Sequence, residues 1–60
     1  MTVNEMCHLY IEGGEQMQIW SIDEEKTVFD GTFYDVMTSD FSEEEVQSYG
    51  IENGIIVMNI

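Results

Sequence analysis

Glu52-Asn53-Gly54-Ile55-Ile56-Val57-Met58-Asn59-Ile60 is the stretch on which the fold turns. Asn-Gly supplies two adjacent residues that tolerate positive φ, as a two-residue hairpin turn requires. The β-branched run after it is apolar at consecutive positions, which predicts a central strand buried on both faces. Upstream, Val46-Gln47-Ser48-Tyr49-Gly50-Ile51 alternates loosely and is the expected pairing strand.

Working outward, a second hairpin is expected nearer the N-terminus. Gln16-Met17-Gln18-Ile19 alternates polar and apolar, and Trp20-Ser21-Ile22 continues it. After the charged break Asp23-Glu24-Glu25-Lys26, Thr27-Val28-Phe29 resumes β-favouring residues and stops at Asp30-Gly31. Between the hairpins, Thr32 is placed to cap a short helical turn through Phe33, Tyr34, Val36 and Met37, and Thr38-Ser39-Asp40 reads as a loop. Ser42 and Glu45 have capping-box spacing, but the residues after them do not sustain a helix.

Thr2-Val3-Asn4-Glu5 is a capping box, in which the Thr and Glu side chains satisfy each other's exposed helical amides. Val3, Met6, Cys7, Tyr10 and Ile11 then share one helical face. Gly13-Gly14 supplies a terminator, so a helix is expected over about residues 2–12. The predicted architecture is a single small acidic α+β domain spanning residues 1–60. In it an N-terminal helix packs on a small, mainly antiparallel sheet of two hairpins joined by a short helix.

Composition narrows the function classes. Thirteen carboxylates stand against one Lys26, for a net charge of -12. Acidic disordered segments are poor in aromatic residues, whereas this chain is 43% hydrophobic and 12% aromatic with no proline, so it is expected to fold. One cysteine, Cys7, cannot form an internal disulfide and suits a reducing compartment, which points to the cytoplasm. No basic segment followed by an apolar stretch marks a leader. No apolar run approaches the ~20 residues needed to span a bilayer. Phosphate-bearing partners, lipid or nucleic acid, are disfavoured by repulsion.

Catalysis has little to work with. His8 lies on the polar face of the first helix, and Cys7 on its apolar stripe, so the two do not face each other. Zinc prefers four Cys or His ligands, and the chain holds two such residues. No calcium loop and no phosphate-binding glycine loop is present. A non-enzymatic protein without cofactor or metal is expected.

The carboxylates remain. From Asp23 onward the chain holds ten of the thirteen. Solubility asks for a net charge of only about 2–8 in magnitude, and a single-sign field attracts a basic surface from a distance. The commonest such surfaces belong to nucleic-acid-binding proteins. Same-face side chains on a strand recur at about 6.6 Å, close to two phosphate steps of about 3.4 Å. Asp23, Glu24, Glu25, Asp30, Asp35, Asp40, Glu43, Glu44 and Glu45 are therefore the candidate partner-binding residues, as phosphate surrogates. Phe33, Tyr34, Phe41 and Tyr49 are candidate apolar anchors, with core packing the favoured role for Phe33 and Tyr49.

Thr2-Val3-Asn4-Glu5-Met6, Met17-Gln18-Ile19-Trp20-Ser21-Ile22, Asp30-Gly31 before Tyr34-Asp35-Val36, and the terminal Glu52 to Ile60 together resemble a broad class of short acidic proteins carried by bacteriophages and other mobile elements. That class includes anti-defence factors such as anti-CRISPR proteins, restriction inhibitors and uracil-DNA glycosylase inhibitors, many of them DNA mimics. The resemblance implies an inhibitor acting in the host bacterial cytosol on a basic host protein that binds nucleic acid. It assigns no site residue. The alternative is an interaction module, or a homodimer, that acts through an exposed Trp20, Ile22 or a strand edge.

With one lysine against thirteen acids, self-repulsion opposes the compact state and salt screens it. The melting temperature in dilute solution at pH 7 should rise with sodium chloride; a gain of about 1 kcal/mol moves a domain of this size by roughly 4–8 °C. A midpoint that falls instead indicates acids compensated locally.

Overall fold

The computed structural model describes residues 1–9 and 16–60. Its elements are α1 (Val3–Cys7), β1 (Gln16–Ser21), β2 (Lys26–Thr32), α2 (Phe33–Met37), β3 (Ser48–Glu52) and β4 (Ile55–Asn59). The order is the α+β layout expected from the sequence. The strands form one mixed sheet in the order β2-β1-β4-β3. The two hairpins are antiparallel, and they join through a parallel β1–β4 pair.

In that central pair Met17 lies beside Ile56 and Ile19 beside Met58. Side chains alternate along a strand, so all four project from the same face. They are buried together with Val3, Met6 and Cys7 of α1 and Val36 of α2. The core is therefore one layer between this inner face and the two helices. Phe29 and Phe41 close its rim with ring centroids 6.2 Å apart, and Val28, Phe33, Met37, Val46 and Ile60 pack around it.

Both helices begin as their sequences predict. Thr2 Oγ1 accepts from the Glu5 amide at 3.2 Å, and the Thr2 amide donates to Glu5 Oε1 at 2.9 Å. The other early amides of α1 are also satisfied. Val3 donates to Glu44 O and Asn4 to Ser42 O, each at 2.9 Å, and Met6 donates to Thr2 O at 3.0 Å. In α2, Thr32 Oγ1 accepts from the Asp35 amide at 3.4 Å, and Asp35 Oδ2 accepts from the Thr32 amide at 3.2 Å. Asp35 sits directly over Gly31, where an added Cβ would fall 2.9 Å from Asp35 Cβ. Glycine lets the helix fold back this closely. At the other hairpin Asn53 has φ 52° and Gly54 φ 79°, the pair of left-handed conformations that its turn demands.

Three expectations need correction. The first helix comprises Val3–Cys7, with His8 as its C-cap, and Leu9 bonds back three residues to Met6 O, tightening the last turn. Tyr10, Ile11, Glu12 and the Gly13-Gly14 terminator lie outside the described residues. β2 does not stop at Asp30-Gly31 but pairs through Thr32, opposite Gln16. β4 is central but buried on one face only. Ile56 and Met58 are buried, while Ile55, Val57 and Asn59 are half-buried on the face opposite the helices.

Met58 is fully buried at the centre of the sheet. Met58→Ala should cost about 2–5 kcal/mol in denaturant unfolding. Exposed Tyr34→Ala should stay within about 0.5 kcal/mol. Deleting Val57 to Ile60 removes most of a central strand and should abolish amide dispersion in NMR spectra.

Candidate interaction surface

The parallel central pair decides where the acids lie. β1 ends at Ser21, and β4 ends at the same edge because Trp20 is registered with Asn59. β3 runs opposite to β4 and therefore starts at that end, with Ser48 beside Asn59. The β1–β2 turn, carrying Asp23, Glu24 and Glu25, and the segment entering β3, carrying Glu43, Glu44 and Glu45, thus share one end of the sheet. Within the sheet β1 and β3 are two strand spacings apart, about 10 Å.

Both acidic segments are held in place by their backbones. In the turn, the amide of Glu24 donates to Ser21 Oγ at 3.1 Å and that of Ile22 to Ile60 O at 3.0 Å. Ser21 is the one buried polar side chain among the described residues, and this contact accounts for it. In the second segment, Glu44 donates to Phe41 O at 3.0 Å and Val46 to Met1 O at 2.8 Å, while Thr2 and Glu45 form an antiparallel bridge. Ser42 does not cap a helix; its carbonyl serves α1 instead.

All nine candidate acids are exposed. Among the described residues two ion pairs form. The Met1 ammonium lies 2.9 Å from Glu45 Oε2, and Lys26 Nζ lies 3.6 Å from Glu24 Oε1. The hydrogen bond to Glu45 raises the pKa of the Met1 ammonium above its ordinary value. Asp30 stands apart on the outer face of β2, where Gln16 and Gln18 both donate amide hydrogens to its carboxylate. Asp35 is engaged in the α2 cap. Asp40 lies in the loop leaving α2. The structure thus groups six of the nine at one end and places Asp30 and Asp35 elsewhere. Among the described residues no three acids, histidines or cysteines converge as a metal site.

Of the candidate anchors, Phe33 and Phe41 are half-buried against the core and Tyr34 is exposed. Tyr49 departs from its expected core role and is 58% exposed, because α2 packs on β1 and β2 rather than on β3. The outer face holds a shallow groove of about 350 Å³ lined by Gln18, Trp20, Thr27, Glu52, Val57 and Asn59. Trp20 opens this groove next to the acidic turn. Periodicity alone does not separate that outward position from a buried one.

Cys7 is fully buried, and burial pushes its thiol pKa up. His8 is exposed, with Nε2 3.1 Å from Asn4 Oδ1. No helix among the described residues is long and apolar enough to cross a membrane. Compared with models of protein families, with curated proteins and with solved structures, the chain matches none.

The hydrogen bond from the Thr2 amide holds the Glu5 carboxyl below its ordinary pKa of 4.5. Folded Glu5 keeps its charge to lower pH than the unfolded chain does. Its contribution to stability is therefore present above pH 4.5 and lost as pH falls through the depressed folded value. Glu5→Gln keeps a capping-box side chain that cannot titrate. The stability difference between wild type and this variant should be level above pH 4.5 and shrink below it. A difference unchanged on acidification removes this role for Glu5.

Proposed function

We propose that the protein is a non-enzymatic acidic inhibitor that occupies the nucleic-acid-binding surface of a basic host protein, in the manner of a DNA mimic. The observation that carries this reading is the pair of backbone-anchored acidic segments at one end of the sheet, on a chain of net charge -12. Asp23, Glu25, Glu43 and Glu44 have no ion-pair partner among the described residues. They present negative charge from a fixed scaffold, so little ordering is needed on binding.

Glu25 adds a second support. It has φ 54°, a left-handed conformation that glycine adopts more easily. Holding a non-glycine residue there costs on the order of 1–2 kcal/mol. A carboxylate kept at this position is consistent with a use for its charge. Trp20, beside the turn, supplies the kind of aromatic contact that converts electrostatic attraction into affinity. Anti-defence inhibitors of mobile elements have this profile of small size, acidity and lack of catalytic groups.

Affinity capture from a bacterial lysate at low salt should retain basic proteins that elute with duplex DNA or with raised salt. Replacing Asp23 and Glu25, or Glu43 and Glu44, with lysine should weaken the captured pair by about tenfold or more. Asp35→Asn should leave it within about twofold, since that carboxylate serves the α2 cap. Retention of neutral or acidic proteins alone, or indifference to the lysine swaps, overturns the reading.

A further inference from the structure

The two edges of the sheet are built differently. β2 carries Lys26 and Asp30, its register with β1 shifts between Ile19 and Trp20, and α2 packs on it. Charge, irregularity and a covering helix are the usual devices that keep an edge strand from pairing. β3 has a regular register and no helix packed along it among the described residues, and its one charge, Glu52, stands at the strand's last position. Ser48-Tyr49-Gly50-Ile51 is uncharged, its register with β4 is regular through all five pairs, and all five strand residues are exposed. Tyr49 is 58% and Ile51 66% exposed, although both share the inner face with buried Met58 and Ile56.

We propose that β3 is a self-association edge, through which two copies pair antiparallel about a two-fold axis at Gly50. The choice of a second copy rests on the chemistry of the strand itself. Centring on Gly50 places Tyr49 opposite Ile51 of the second copy, and the reverse, on the inner face. On the outer face it places the Ser48 hydroxyl opposite the Glu52 carboxylate. Gly50 meets its own counterpart on the outer face, where a Cβ at Gly50 would have no atom within 4 Å. Neighbouring registers lose these matches. Centring on Tyr49 sets Ile51 against Gln47, and centring on Ile51 sets Tyr49 against Asn53. Register is specified where such mismatches are penalised.

Charge favours the same arrangement. Each copy carries -12 and concentrates acids at the end of the sheet where β3 begins. Antiparallel pairing sends the two acidic ends to opposite ends of the joined sheet, whereas parallel pairing sets them side by side. Five residues form a short seam, so the dimer belongs to the weak, concentration-dependent class of interface.

Sedimentation equilibrium of the full chain across a sodium chloride series tests this. A monomer–dimer equilibrium should tighten as salt rises, because screening relieves repulsion between like-charged copies. Binding to a basic partner weakens with salt, so the two proposals fail independently. Tyr49→Lys and Ile51→Lys each make the chain less negative, which by charge alone favours association. Each should nevertheless raise the dimer dissociation constant by about tenfold or more. Ile22→Lys, at an exposed apolar position of the acidic turn, should not. Amide NMR dispersion identifies variants that retain the fold, and Ile51→Lys, the more exposed site, decides if Tyr49→Lys does not fold. A wild-type chain that stays monomeric at every salt and concentration, or folded edge variants that dimerise as the wild type does, overturns the proposal.

Discussion

The parallel contact between β1 and β4 is the interaction on which the rest depends. Each hairpin is a local structure that an isolated peptide barely sustains. Registering Met17 with Ile56 and Ile19 with Met58 turns two hairpins into one sheet with a continuous buried face. Both helices use that face: Val3, Met6, Cys7 and Val36 are buried in one cluster with its four central side chains. The pairing also sets the direction of every other strand. It brings the β1–β2 turn and the approach to β3 to the same end, although about twenty residues separate them in sequence. The charge pattern is thus a consequence of the strand order.

Electrostatics works against this scaffold. A small domain has little core from which to offset self-repulsion, and exposed ion pairs such as Lys26–Glu24 return little. The chain answers with backbone geometry. Ser21 accepts from Glu24, α1 donates to the carbonyls of Ser42 and Glu44, and Met1 accepts from Val46. These neutral hydrogen bonds hold the acidic segments without cancelling their charge. Glu5, Asp35 and Asp30 accept from nearby neutral amides and lie outside the grouped acids, whereas Glu45 within the group pairs with the Met1 ammonium.

Much of this was legible from local signals. The Thr2–Glu5 capping box and the Asn53-Gly54 turn each encode a geometry that few residue types permit, and both appear in the structure. The charged break also marks a turn, although it spans residues 22–25 and Lys26 already belongs to β2. The role of Thr32 as a cap is equally readable, and Asp35 three residues on completes it. What could not be read was long-range. Nothing in Ile55 to Ile60 states that β4 pairs parallel with β1, or that both helices choose one face. The half-exposed Val57 and the exposed Tyr49 follow from those two facts. The grouping of the acids was hidden for the same reason: Glu43–Glu45 reads as a charge run until the strand order brings it to the end occupied by Asp23–Glu25.

The two proposed surfaces are compatible because they occupy different places and would respond to salt with opposite sign. The acidic segments project from the end of the sheet, and the β3 seam runs along its side. An antiparallel pair would therefore leave both acidic ends open and set them at opposite ends of one continuous sheet. Such a dimer presents two anionic sites in fixed relation, and fixed relation converts two modest contacts into avidity if a partner's basic surface spans both. On these two proposals, attraction to a basic partner would be strongest and self-pairing weakest at low salt, so the chain would engage as a monomer. As salt rises the balance moves toward the paired form. The charge proposed to draw this small domain to a cationic partner would thereby also govern how many copies meet it.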